Sequence, residues 1–147
     1  MSATVAARTG VAAGGWQEAI RAACQPLLSA GAIHERYIDA CIDLVEEEGP
    51  YMVVAPGIAL AHARPEDGVL SLGVAVAVLA DPVEFGHPDN DPVDLVFAFG
   101  SPDADQHVGL LGALARGLTS GLDDELRGAG DQEGATATLR KQLEGAT

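Results

Sequence analysis

From Trp16 onward, apolar positions in this chain first recur at helical spacing, then alternate or run unbroken, then return to helical spacing. Trp16, Ile20, Ala23 and Cys24 fall on one side of a helical wheel and predict a first helix. Pro26 lacks an amide donor and is expected to interrupt or restart that helix, with Gly31 ending a short Leu27-Leu28 piece. Tyr37, Ile38, Cys41, Ile42, Leu44 and Val45 predict a second helix. Glu46-Glu47-Glu48 and Gly49-Pro50 form its solvated end and stop. Glutamates there oppose the helix dipole, so the run reads as surface.

The middle of the chain has the pattern of strands. Tyr51 to Ala55 is a short apolar run, Pro56-Gly57 a turn, and Ile58 to Ala63 alternates. Leu72 to Leu79 is apolar on both faces and rich in valine, which predicts a central strand covered on both sides. A polar loop over residues 84–92 leads to another strand, with Val93, Leu95, Phe97 and Phe99 on one face. Ser101 is a candidate N-cap with Pro102 at the first helical position, followed by Leu110, Leu111, Leu114 and Leu118 as an apolar stripe. A terminal helix is expected over Asp131 to Glu144. Residues 1–15, ending in Gly14-Gly15, read as a loose N-terminal tail, and residues 16–147 as a single domain. Helices, then strands, then helices predict an α/β fold: a mixed sheet of about five strands flanked by helices.

Composition narrows the class. Eight basic against 22 acidic residues give a formal charge of −14, which disfavours nucleic acid and anionic lipid and favours a partner with a basic face. No apolar run is long enough to span a bilayer, and residues 1–15 lack the continuous apolar stretch of a signal peptide, so a cytoplasmic protein without membrane insertion is expected. The two cysteines, Cys24 and Cys41, lie in helical segments and read as small buried hydrophobes of a reduced protein.

The candidate chemistry centres on His62. It closes the alternating segment, and Ile58, Leu60, His62 and Arg64 share a face if the extended run reaches that far. Arg64 is the only lysine or arginine between Arg36 and Arg116. A lone cation beside a histidine in so acidic a chain points to an anion site. His107 lies on the inward stripe of the third helix, four residues before Leu111, near a terminus that offers amide donors. Each of these histidines also fits a buried residue with one hydrogen bond. His34 and His87 read as exposed. A weaker alternative is a divalent metal held by Asp103, Asp105 and His107 with Asp89 or Asp91, for hydrolysis.

The segments Gly49-Pro50-Tyr51, Pro56-Gly57-Ile58-Ala59-Leu60-Ala61-His62-Ala63-Arg64, Phe85-Gly86, Asn90-Asp91-Pro92-Val93, and His107 with its leucines resemble a known family. It is the enzyme IIA component, mannitol/fructose class, of the bacterial phosphoenolpyruvate-dependent sugar phosphotransferase system (PTS). The Ala61-to-Val69 stretch is similar to the ascorbate-type branch. The family usually has proline before its active histidine. Here that position is Ala61, which is expected to loosen the local backbone.

The resemblance implies that His62 accepts a phosphoryl group from phospho-HPr through Nε2 and passes it to a IIB component for carbohydrate uptake, without a cofactor or metal. It implies that His107 stabilises the phosphate. Arg64 and the backbone amides near Ser101 to Asp105 are further candidate donors, with Leu60, Phe85 and Leu111 as an apolar ring. A regulatory IIA-like phosphoprotein is the alternative within the same resemblance. A homodimer remains open.

Overall fold

The computed structural model describes residues 4–143, so Met1 to Ala3 and the predicted helix end at Glu144 lie outside the described residues. Five strands form one mixed sheet: β1 (Thr4–Val11), β2 (Val53–Ala55), β3 (Ile58–Ala61), β4 (Gly73–Val83) and β5 (Val93–Gly100), in the order β1-β4-β5-β3-β2. β1 runs parallel to β4 and β3 parallel to β5, while β4–β5 and β2–β3 are antiparallel. Helices α1 (Trp16–Ser29) and α2 (Glu35–Glu48) are joined to one apolar cluster, and α3 (Ala104–Thr119), α4 (Leu122–Arg127) and α5 (Gln132–Leu143) to the other. The predicted α/β architecture is the observed one.

Alternation along the strands builds the two clusters. Ala59, Ala61, Ala75, Ala77 and Ala98 face α1 and α2, and these small side chains let the helices approach closely. Ile58, Leu60, Val74, Val76, Leu95, Phe97 and Phe99 face the second layer, where Leu110, Leu114, Leu126 and Leu139 meet them. Each such buried large side chain contributes roughly 1.5–3 kcal/mol. Val93 departs from the expected face and joins the first cluster, because the register between β4 and β5 shifts opposite it.

Thr4–Val11, expected to be part of a loose tail, form β1 instead, in register with β4 from Thr4↔Gly73 to Ala7↔Val76. Its outer edge is satisfied by α5. Thr136 Oγ1 accepts from the Ala7 amide at 3.1 Å, Gln132 Oε1 from the Thr9 amide at 3.4 Å, and Arg140 donates to the Val5 carbonyl at 3.5 Å. One face of a helix thus covers alternate groups of an edge strand.

α1 also continues through Pro26 instead of breaking. The missing proline amide would have bonded the Ala22 carbonyl, and Arg8 of β1 donates to that oxygen at 3.3 Å instead. The β2–β3 turn places Pro56 before Gly57, whose φ of +76° meets the demand of a tight turn, and the Gly57 carbonyl accepts from both Asp94 and Leu95 amides at 3.1 Å. That turn seats β3 beside β5.

Candidate functional site

β3 and β5 are parallel, so they end on the same side of the sheet, where ligand sites of open α/β sheets form. His62 is the first residue past β3. Its Nδ1 lies 2.9 Å from the Leu60 carbonyl oxygen. A carbonyl only accepts, so Nδ1 carries the proton and Nε2 keeps a bare lone pair. The ring stacks on Phe99 at the end of β5, with centroids 5.2 Å apart and planes at 21°. The strand does not reach His62, but Leu60 and Ala61 keep their alternation, and Ala61 is buried and in register with Ala98. The backbone before the histidine is therefore fixed by the sheet where looseness was expected.

α3 brings the second imidazole. Its N-cap is Asp103, whose carboxylate accepts from the Gln106 amide at 2.8 Å, and not Ser101. Ser101 is buried two residues earlier, donating to the Asp103 carbonyl at 2.6 Å and accepting the Asp103 amide at 3.3 Å. These amides of the helix start are thus already engaged within the chain. The His107 ring lies 5.9 Å from that of His62 and 5.1 Å from Phe99, so Phe99 is a shared floor beneath both. Burial first, and the neighbouring His62 second, hold the His107 imidazole below its ordinary pKa. It is neutral at neutral pH and offers one ring N–H.

A cavity of about 400 Å³ opens over the pair, lined by Leu44, Tyr51, His62, Ala63, Arg64, Pro65, His107 and Val108. Tyr51 meets His62 edge-on at 6.0 Å, and its hydroxyl reaches the His62 carbonyl at 3.4 Å. The expected apolar ring is corrected by this lining. Leu60 is buried in the second cluster, Leu111 packs against that cluster, and Phe85 lies in the first cluster with its ring tilted against Trp16. Leu44, Tyr51 and Val108 take their place. The available signal was an exposed valine beside His107, off the inward stripe, and a tyrosine after the Gly-Pro stop of α2.

Arg64 stands on the cavity rim with its side chain 73% exposed. Its guanidinium forks onto Asp67 at 3.3 and 3.4 Å, and Asp67 also accepts the Arg64 amide at 3.0 Å. The guanidinium's own hydrogen bond to the Asp67 carboxylate raises the Arg64 pKa, so the cation is permanent. His34 is exposed, as expected. His87 is half-buried instead, its Nδ1 accepting from the amides of Asp89 and Asn90 within the loop.

The metal constellation is not assembled. Asp103 caps α3, Asp91 accepts the amides of Phe85, Gly86 and His87, and no group of three metal-ligating side chains converges among the described residues. Cys24 and Cys41 are free and buried; hydrogen bonding to Cys24 and burial push the Cys41 thiol up, away from reactivity. No helix among the described residues is long and apolar enough to cross a membrane.

Known proteins share this fold and much of this sequence. Over 98 residues the chain is 44% identical to the ascorbate-specific PTS system EIIA components of Shigella boydii and Escherichia coli K12, a stretch covering 65% of this chain and 64% of each relative. The match thus spans less than two thirds of those relatives. The mannitol-specific cryptic enzyme IIA CmtB of Escherichia coli superposes with a TM-score of 0.83 at 32% identity, covering 96% of this chain and 95% of the other. A Streptococcus mutans protein described as a PTS IIA, PtxA, gives 0.80 at 29%, covering 93% and 88%. The family profile of the phosphoenolpyruvate-dependent sugar phosphotransferase system, EIIA 2, fits residues 6–141, and the chain belongs to that family.

Proposed function

We propose that this protein is a phosphocarrier that takes a phosphoryl group from phospho-HPr on His62 Nε2 and hands it to a IIB component for carbohydrate uptake. The observation that carries this reading is the Nδ1–H bond to the Leu60 carbonyl, which leaves Nε2 bare in a cavity shared with His107. The nitrogen–phosphorus bond of the donor breaks as the Nε2–phosphorus bond forms. No proton has to leave Nε2 first, because it carries none.

Transfer of this kind asks for alignment and for donors to the phosphoryl oxygens more than for covalent help. His107 supplies one neutral N–H from 5.9 Å, ring to ring, and accepts no phosphate itself. Arg64 supplies the cation by exchanging Asp67 for phosphate oxygens, an exchange its long, exposed contacts make easy. Tyr51, Leu44 and Val108 keep water from the phosphohistidine yet leave the mouth open to two partner proteins in turn. Such a relay operates in the cytoplasm. The relatives named for ascorbate make an ascorbate IIB component the first acceptor to try.

The test is incubation with phosphoenolpyruvate, enzyme I and HPr. Acid-labile phosphate is expected on the wild type and absent from His62→Gln. Wild-type protein that takes no label would refute the reading. Onward transfer to a IIB component separates transport from a regulatory role, which predicts charging without it.

A further inference from the structure

The last rung of the β3–β5 ladder is Ala61↔Ala98. Beyond it the two chains diverge, yet His62 must stay stacked on Phe99. Tyr37 of α2 fills this gap. Its hydroxyl donates to the Phe99 carbonyl at 2.8 Å, with the Ala63 carbonyl at 3.3 Å, and accepts the Ala63 amide at 2.9 Å. One oxygen thus bridges the backbone just after His62 to the backbone of the residue beneath its ring.

The bridge is built from the opposite layer to His107. Tyr37 is 1% exposed, in the cluster under α1 and α2, while Phe99 and the stripe of α3 lie on the other face. Burial above all raises the phenol well beyond its ordinary pKa, so the hydroxyl keeps its proton and stays a donor. A buried phenol needs hydrogen-bond partners in any case; what distinguishes Tyr37 is that its partners lie on two separate strand exits, one following His62 and one beneath its ring.

We propose that Tyr37 is a positioning residue for His62: its hydroxyl acts as an extra rung that fixes the exits of β3 and β5, and so sets the imidazole's direction and tautomer. This deepens the phosphocarrier reading and rests on it for the rate, but not for the ring geometry.

The experiment compares Tyr37→Phe with Ile38→Val, a truncation of the next residue on α2, which is buried in the first cluster and does not line the cavity. Imidazole ¹⁵N NMR of the unphosphorylated proteins reads the His62 tautomer. Transfer from phospho-HPr reads the rate. Tyr37→Phe is expected to populate the Nε2–H tautomer of His62 and to slow charging by about tenfold or more, while Ile38→Val changes neither, whatever stability it loses. An unchanged tautomer, or an unchanged charging rate, in Tyr37→Phe overturns the proposal. If wild-type protein takes no phosphate at all, the phosphocarrier reading fails and the tautomer comparison alone still decides the role of Tyr37. Should Tyr37→Phe not fold, hydrogen exchange on the wild type decides. The Ala63 amide, bonded to the Tyr37 hydroxyl, is expected to be protected like those of β5, and free exchange there refutes the bridge.

Discussion

At the scale of single residues, the account rests on two imidazoles with different duties. His107→Gln moves the side-chain donor away from where the imidazole N–H points, and charging of His62 is expected to slow by up to about a hundredfold, the cost of an oxyanion donor lost outright. Label remains on His62, and rapid-quench kinetics with phosphopeptide mapping checks both. The depressed His107 pKa also has a consequence for stability. As pH falls, the unfolded chain binds that proton first, because its histidine titrates near 6.5. The stability His107 contributes is full above about pH 6.5 and is lost as pH drops through the lower folded value. Urea midpoints of wild type and His107→Gln should therefore converge, or cross in favour of the variant, on acidification. A pH-independent gap between them would contradict this. His62 and His107 were legible in the sequence because a strand end, a helical stripe and a motif each marked them. Phe99 and Tyr37 were not. Their roles depend on β3 lying beside β5 and on α2 reaching both, which no local pattern encodes.

At the scale of elements, the sequence showed β4, β5, α2 and the leucine stripe of α3 through periodicity alone. It hid β1, whose small, mixed residues form a strand only because β4 pairs on one side and α5 satisfies the other. It hid the passage of α1 through Pro26 for the same reason, since the compensating Arg8 donor comes from β1. Two substitutions test these supports. Thr136→Val preserves shape but orphans the Ala7 amide, and is expected to cost about 1–3 kcal/mol in urea unfolding. It should also raise concentration-dependent association through the bared edge, seen by light scattering. Gly57→Ala places a methyl group at φ +76°, 3.0 Å from Arg127 Nη2 and 3.2 Å from Asp94 Oδ1. Strain and crowding there are expected to cost roughly 1–3 kcal/mol. A neutral result would mean that the turn holding β3 is more forgiving than its geometry implies.

At the scale of the whole molecule, two helical layers flank the end of the sheet where β3 and β5 finish, and each supplies part of the site: α3 brings His107, and α2 brings Tyr37. The net charge of −14 gives the whole molecule an acidic field, and Arg64 is a cation at the rim of the cavity. A donor protein with a basic face is steered by such a field, so its association rate should fall steeply with added salt while the transfer step within the complex does not. Stopped-flow charging at several ionic strengths separates the two. The most direct test of the central claim is ¹⁵N and ³¹P NMR of protein charged by phosphoenolpyruvate, enzyme I and HPr. The prediction is a single phosphohistidine at His62, bonded through Nε2, with Nδ1 still protonated. Phosphate at Nδ1 of His62, or on His107, would contradict it.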